Sequence, residues 1–121
     1  MITNKKVLVV EDEFIIAMDI EDNLQKLGYQ HKNRILTGKS AIEKINSYNP
    51  DLILLDIFLR DEITGLDVAI IANEKRIPFA FITASTNESI FKKAKQLNPV
   101  EIISKPITSD KLQKVLTKVF V

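Results

Sequence analysis

The chain has 121 residues, 45% hydrophobic and 27% charged, with a formal net charge of +1, which fits one globular domain and excludes a disordered chain. The balanced charge gives no reason to expect a nucleic-acid or membrane surface, and the absence of cysteine excludes disulfides and thiolate metal sites while allowing a reducing compartment. No apolar stretch approaches a membrane span, and the run after MITNKK is too short for a signal peptide, so the expected location is the cytoplasm.

Val7-Leu8-Val9-Val10 reads as a buried strand. A helix is expected over residues 13 to 27, with Ile16, Ile20, Leu24 and Leu27 at helical spacing and Gly28 ending it. Residues 31 to 36 form a weaker, more polar strand suited to a sheet edge, and a helix over 39 to 48 is punctuated by Pro50. Leu52 to Leu55 is a strand with no polar alternation. Thr64 and Asp67 mark the start of a helix through residue 75. Phe79 to Ile82 is the fourth strand. Ser85-Thr86-Asn87-Glu88 has the capping-box pattern and opens a helix with Ile90, Phe91, Ala94 and Leu97 inward. A short fifth strand is expected over Val100 to Ile103. Thr108 or Ser109 can cap the last helix, whose inner face carries Leu112, Val115, Leu116 and Val119.

Strand and helix thus alternate five times, and the strands are apolar on both faces. That pattern predicts an α/β domain with a parallel sheet covered on both sides. No linker or repeat interrupts it, so one domain over residues 1–121 is expected.

In an open parallel sheet, sites form beyond the carboxyl ends of the strands. Glu11, Asp12 and Glu13 follow the first strand, Asp56 the third, Thr83 the fourth, and Ser104, Lys105 and Pro106 the fifth. Taken singly, the first acids could serve a helix N-terminus, Lys105 could be a solvated lysine and Thr83 a cap; His31 carries no role. Taken together, they place carboxylates, a hydroxyl and an ammonium on one edge. Unit charges about 4 Å apart repel by roughly 4 kcal/mol at an effective dielectric near 20, so Asp12 and Asp56 call for a cation between them. Few, hard oxygen ligands suit Mg²⁺. Asp56 is then placed to accept a phosphoryl group as a carboxylate nucleophile. Lys105 and Thr83 are suitable donors to its oxygens.

The motifs VLVVEDE, PDLILLDIFL, Gly65, FITAS and SKPI, in this order and spacing, resemble the receiver domain of bacterial two-component response regulators across essentially the whole chain. The resemblance implies a flavodoxin-like, doubly wound sheet of strand order 2-1-3-4-5 with helices on both faces. It implies that Asp56 is the phosphoacceptor and that Glu11 and Asp12 form the acidic pair. Mg²⁺ would be bound by the Asp12 and Asp56 carboxylates and the backbone carbonyl of Phe58. Thr83 and Lys105 would hold the phosphoryl oxygens, and the Lys105–Pro106 bond would be cis. The donor would be a phosphohistidine on a sensor histidine kinase or histidine phosphotransfer protein, and the domain would not be a turnover enzyme. Three positions depart from the usual family pattern. Glu11 stands where an aspartate is common, Ile102 where an aromatic residue reports the state of the threonine, and Phe58 where side chains are often smaller or polar.

Two rival readings are a degenerate receiver acting as a constitutive interaction module and a phosphatase of the haloacid dehalogenase type. The latter wants a second aspartate two residues after the nucleophile, where this chain has Phe58. Residues 87–121 carry Lys92, Lys93, Lys95, Lys105, Lys111, Lys114 and Lys118 against Glu88, Glu101 and Asp110. This segment reads as solvated amphipathic helices, with a downstream partner or self-association surface as the functional alternative. No recognition helix or aromatic platform for nucleic acid is present.

Overall fold

A computed structural model of the chain describes residues 4–31, 37–59, 61–85 and 87–120. The elements are β1 (Lys6–Val10), α1 (Phe14–Lys26), β2 (Gln30–His31), α2 (Gly38–Tyr48), β3 (Leu52–Asp56), α3 (Gly65–Glu74), β4 (Phe79–Thr83), α4 (Glu88–Gln96), β5 (Ile102–Ser104) and α5 (Ser109–Phe120). All strand pairs are parallel and the sheet order is β2-β1-β3-β4-β5. This is the flavodoxin-like order that the motifs imply. Of the edge strand expected over 31–36, His31 lies in β2, and residues 32–36 lie outside the described residues.

The unalternating strands divide their side chains between two cores, because successive residues of a strand point to opposite faces. Leu8, Val10, Ile53, Leu55, Phe79 and Phe81 pack with Ala41 and Ile45 of α2, Val68, Ala69 and Ala72 of α3, and Ala94 of α4. Val7, Val9, Leu52, Leu54, Ala80 and Ile82 pack with Ile20 and Leu24 of α1 and Leu112, Val115 and Leu116 of α5. Burying one such Leu or Ile fully contributes about 1.5–3 kcal/mol. The two cores fix β1, β3 and β4 as a rigid central platform, and the carboxyl ends of these strands carry the site.

Local signals explain most helix boundaries. Thr64 and Asp67 form a reciprocal capping box, with Asp67 N–H donating to Thr64 Oγ1 at 3.3 Å and Thr64 N–H to Asp67 Oδ2 at 3.0 Å. Gly28 takes φ 86° after α1, a left-handed conformation that costs glycine little. Thr108 caps α5 by accepting the Lys111 N–H at 3.2 Å.

Three expectations need correction. The cap of α4 is Asn87, not Ser85: Asn87 Oδ1 accepts from Ser89 N–H at 2.9 Å and Ile90 N–H at 3.1 Å, while Ser85 Oγ accepts from Asn87 N–H. Asn and Ser are about equally good caps, but the first-turn N–H groups of α4 face Asn87, while the Ser85 hydroxyl is engaged before the helix begins. Phe91, expected inward, is 43% exposed. It follows Ile90 by one residue and so sits about 100° round the helix from the Ile90–Ala94–Leu97 stripe. β5 begins at Ile102 rather than Val100 and runs to Ser104, in register Phe81↔Ile102 to Thr83↔Ser104. Asn98 (φ 58°) and Pro99 turn the chain first; Val100 N–H already donates to the Phe79 carbonyl at 2.8 Å, and the regular strand follows and carries the chain up to Lys105.

Candidate functional site

The strands deliver their terminal residues to one edge. Among the described residues, the buried polar or charged side chains are Glu11, Asp56 and Thr83, at 0%, 3% and 5% exposure. All three lie at the carboxyl end of a central strand. Asp56 closes β3, Thr83 closes β4, and Lys105 N–H donates to the Thr83 carbonyl at 3.0 Å, which locks the loop after β5 beside β4.

Asp56 is held from both sides. Its Oδ1 accepts the Phe58 N–H at 3.0 Å and its Oδ2 accepts from Lys105 Nζ at 3.1 Å. Gly65 presses on the same turn from α3: its N–H donates to the Ile57 carbonyl at 2.8 Å, and a Cβ at this position would collide with the Asp56 carbonyl oxygen. Glycine stands there for space. The Lys105–Pro106 peptide bond is cis.

Lys105 Nζ also donates to Glu11 Oε1 at 3.2 Å and to Glu13 Oε1 at 3.0 Å. Lys105 thus supplies a built-in counter-charge to Asp56, Glu11 and Glu13. The contact with Glu13 is not visible in the local sequence, where Glu13 reads only as one of the acids favouring a helix N-terminus. Glu13 is indeed the N-cap of α1, but its side chain makes no cap hydrogen bond. Glutamate is not among the favoured N-cap residues; its use here was the available signal of a different partner.

Carboxylate oxygens of Glu11, Asp12 and Asp56 all lie within 4.8 Å of one another. Burial, and then the neighbouring Asp56, push the Glu11 pKa up to about 8, against the pull of Glu13 N–H and Lys105. Burial also raises Asp56, and the Glu11 carboxyl, the Phe58 N–H and Lys105 offset this only in part. Both buried acids are therefore harder to ionise than an ordinary carboxyl. Burial works against the Lys105 ammonium, but the Glu13 hydrogen bond and the charges of Asp56 and Glu11 outweigh it, so the Lys105 pKa rises.

The donor set fits a hard divalent cation. Glu11 Oε2 is buried without a hydrogen-bond partner, and an orphan carboxylate oxygen beside two more acids is an arrangement that a metal, with its bound waters, would satisfy. The cleft above Asp56 is lined by Asp12, Glu13, Phe58, Ala84, Ser85 and Lys105. A neighbouring groove shares Glu13 and Lys105 and continues along Ile15, Ile16 and Asp19 of α1. On the same helix Phe14, Ile15 and Met18 are exposed at 57%, 80% and 42%. Ile102 is partly buried against the core of α2, α3 and α4.

Residues 7–117 match the response regulator receiver domain family. The chain belongs to that family. This receiver domain is 30% identical over 107 residues to the transcriptional regulatory protein PdtaR of Mycobacterium tuberculosis, covering 86% of this chain and 51% of that protein. It is 26% identical over 117 residues to the chemotaxis protein CheY of Thermotoga maritima, covering 95% of this chain and 97% of that protein. Among solved structures, the signal receiver domain of a modulated diguanylate cyclase from Desulfovibrio desulfuricans G20 superposes with a TM-score of 0.88 at 30% identity, over 94% of this chain and 91% of that one. The chain spans about half the length of PdtaR, whereas CheY is matched almost end to end. As a receiver domain it is a two-component signalling module. No helix among the described residues is long and apolar enough to cross a membrane.

Proposed function

We propose that residues 1–121 form one receiver domain that accepts a phosphoryl group on Asp56 from a phosphohistidine of a histidine kinase or phosphotransfer protein. The observation that carries this reading is the setting of the Asp56 carboxylate. It is buried at the end of β3, oriented through both oxygens by Phe58 N–H and Lys105 Nζ, and it borders an open cleft. Fixing both oxygens removes the rotational freedom that a nucleophile would otherwise lose on reaction.

In the transfer, a carboxylate oxygen of Asp56 attacks phosphorus. The phosphorus–nitrogen bond to the donor imidazole breaks, its electron pair returns to the ring, and the released histidine is protonated from solvent. Lys105 offsets the negative charge of the phosphoryl oxygens. Thr83 Oγ1 accepts the Ser85 N–H and keeps its own proton to donate to one of them. Glu11, Asp12 and Asp56 with the Phe58 carbonyl would hold Mg²⁺, which when bound neutralises phosphoryl oxygens. Phe58, 48% exposed at the rim of the cleft, covers part of the approach of water to the product. The exposed apolar face of α1 beside the cleft supplies a surface for the phosphohistidine protein. Residues 87–121, with seven lysines against three acids, offer a surface for a downstream partner or a second copy, the alternative to a simply solvated pair of helices.

The test is intact mass after incubation with phosphoramidate and Mg²⁺. The chain should gain one hydroxylamine-labile phosphoryl group, and Asp56→Asn should gain none. Equal labelling of the variant would remove Asp56 from the role. Absence of labelling in the wild type would favour a constitutive interaction module.

A further inference from the structure

We propose that Glu13 is a positioning residue that competes with the phosphoryl group for the Lys105 ammonium, and so sets how readily Asp56 is occupied. This rests on the reading of Asp56 as the acceptor. An ammonium has three hydrogens, and Lys105 Nζ has three carboxylate partners: Glu13 at 3.0 Å, Asp56 at 3.1 Å and Glu11 at 3.2 Å. No hydrogen is left for an incoming oxygen unless one partner lets go.

The three partners are not equivalent. Glu11 and Asp56 have side chains 0% and 4% exposed, whereas that of Glu13 is 59% exposed. A buried carboxyl group that loses its hydrogen-bond partner cannot turn to water and is left unsatisfied at a cost, but an exposed one is rehydrated as it leaves. The Glu13 contact is therefore the one that yields. Its side chain is free of any capping duty, and it lies on the rim of both the acceptor cleft and the α1 groove. While Glu13 is in place it adds a negative charge where an anionic group must enter. Its backbone N–H, which orients Glu11 Oε1 at 3.0 Å, is kept on substitution by Gln or Ala, so these changes isolate the carboxylate.

The experiment titrates the 121-residue chain with beryllofluoride in the presence of Mg²⁺ and follows amide NMR shifts near Thr83. Glu13→Gln and Glu13→Ala should each bind about two- to fivefold more tightly than wild type, the scale of an exposed ion pair. The gain should shrink at high salt, because the competing charge is solvent-screened; a merely structural role would not show this. The Lys105 side-chain nitrogen resonance of the metal-free protein should move in both variants. Glu43→Gln, an exposed acid on α2, should change neither. Equal or weaker binding by both Glu13 variants, with wild-type binding intact, would overturn the role of Glu13 alone. If wild type and variants all fail to bind, the acceptor reading is wrong and this inference falls with it.

Discussion

Lys105 Nζ stands 3.1 Å from Asp56 Oδ2, joining the end of β5 to the end of β3 through a side chain only 10% exposed. It is the built-in counter-charge of an otherwise acidic site, yet burial still leaves Asp56 with a raised pKa. The ionised acceptor is thus disfavoured by the folded state. Asp56→Asn should raise the melting temperature in EDTA by the equivalent of about 1–2 kcal/mol. Millimolar Mg²⁺ should stabilise wild type by mass action, and Asp56→Asn and Asp12→Asn should lose most of that gain. Calorimetry with and without metal checks both points; destabilisation of the metal-free protein by Asp56→Asn would contradict the electrostatic account.

Glu11 makes stability depend on pH. Its folded pKa of about 8 lies above the ordinary 4.5, so between these values the folded chain binds more protons than the unfolded one. Stability from this group is fully present below about 4.5 and is lost as pH rises through about 8. In EDTA the melting temperature should fall from pH 6 to pH 9 by about a few degrees, and Glu11→Gln should flatten the trend. Mg²⁺ must displace the same proton, so its affinity should rise over the same range. A flat affinity profile would remove Glu11 from the metal-binding set.

Gly65→Ala places a methyl group against the Asp56 carbonyl. Overpacking of this kind costs about 1–3 kcal/mol. The strand end must shift to make room, so phosphoramidate labelling should slow as well. Urea denaturation and labelling rates measured on the same variant should change together; wild-type values for both would show that α3 yields instead.

Phe58→Asn should shorten the lifetime of the phosphorylated form. The ring is 48% exposed over the cleft, and a smaller polar side chain would admit and orient water. Decay of the phosphoryl group after removal of the donor, followed by mass, should be faster. An unchanged or slower decay would show that the ring does not cover the line of attack.

Asn87 rather than Ser85 caps α4. Asn87→Ala should cost about 1 kcal/mol. Ser85→Ala should cost less, because it removes a single turn bond to Asn87 N–H. Reversal of this order in chemical denaturation would restore the Ser85 cap.

The sequence by itself determined the architecture and the gathering of the site. Three strands without polar alternation need cover on both faces, and a parallel sheet brings every strand's carboxyl end to one edge. Residues following Val10, Leu55, Ile82 and Ile103 therefore had to meet, whatever their side chains. The tertiary structure decided what these residues do to one another. Glu11 and Asp12 are neighbours in the chain and both reach toward Asp56, yet their settings differ. One is wholly buried against Asp56 while the other stays half-exposed. Lys105 lies 92 residues from Glu13 and 49 from Asp56, separations over which local pattern carries no information. Its choice of three carboxylates depends on side-chain reach and local burial. The same holds for Phe91 and Asn87, where several sequence positions were equally good locally and only packing against the sheet selected one. Propensity and periodicity act within a few residues, whereas charge and packing act across space.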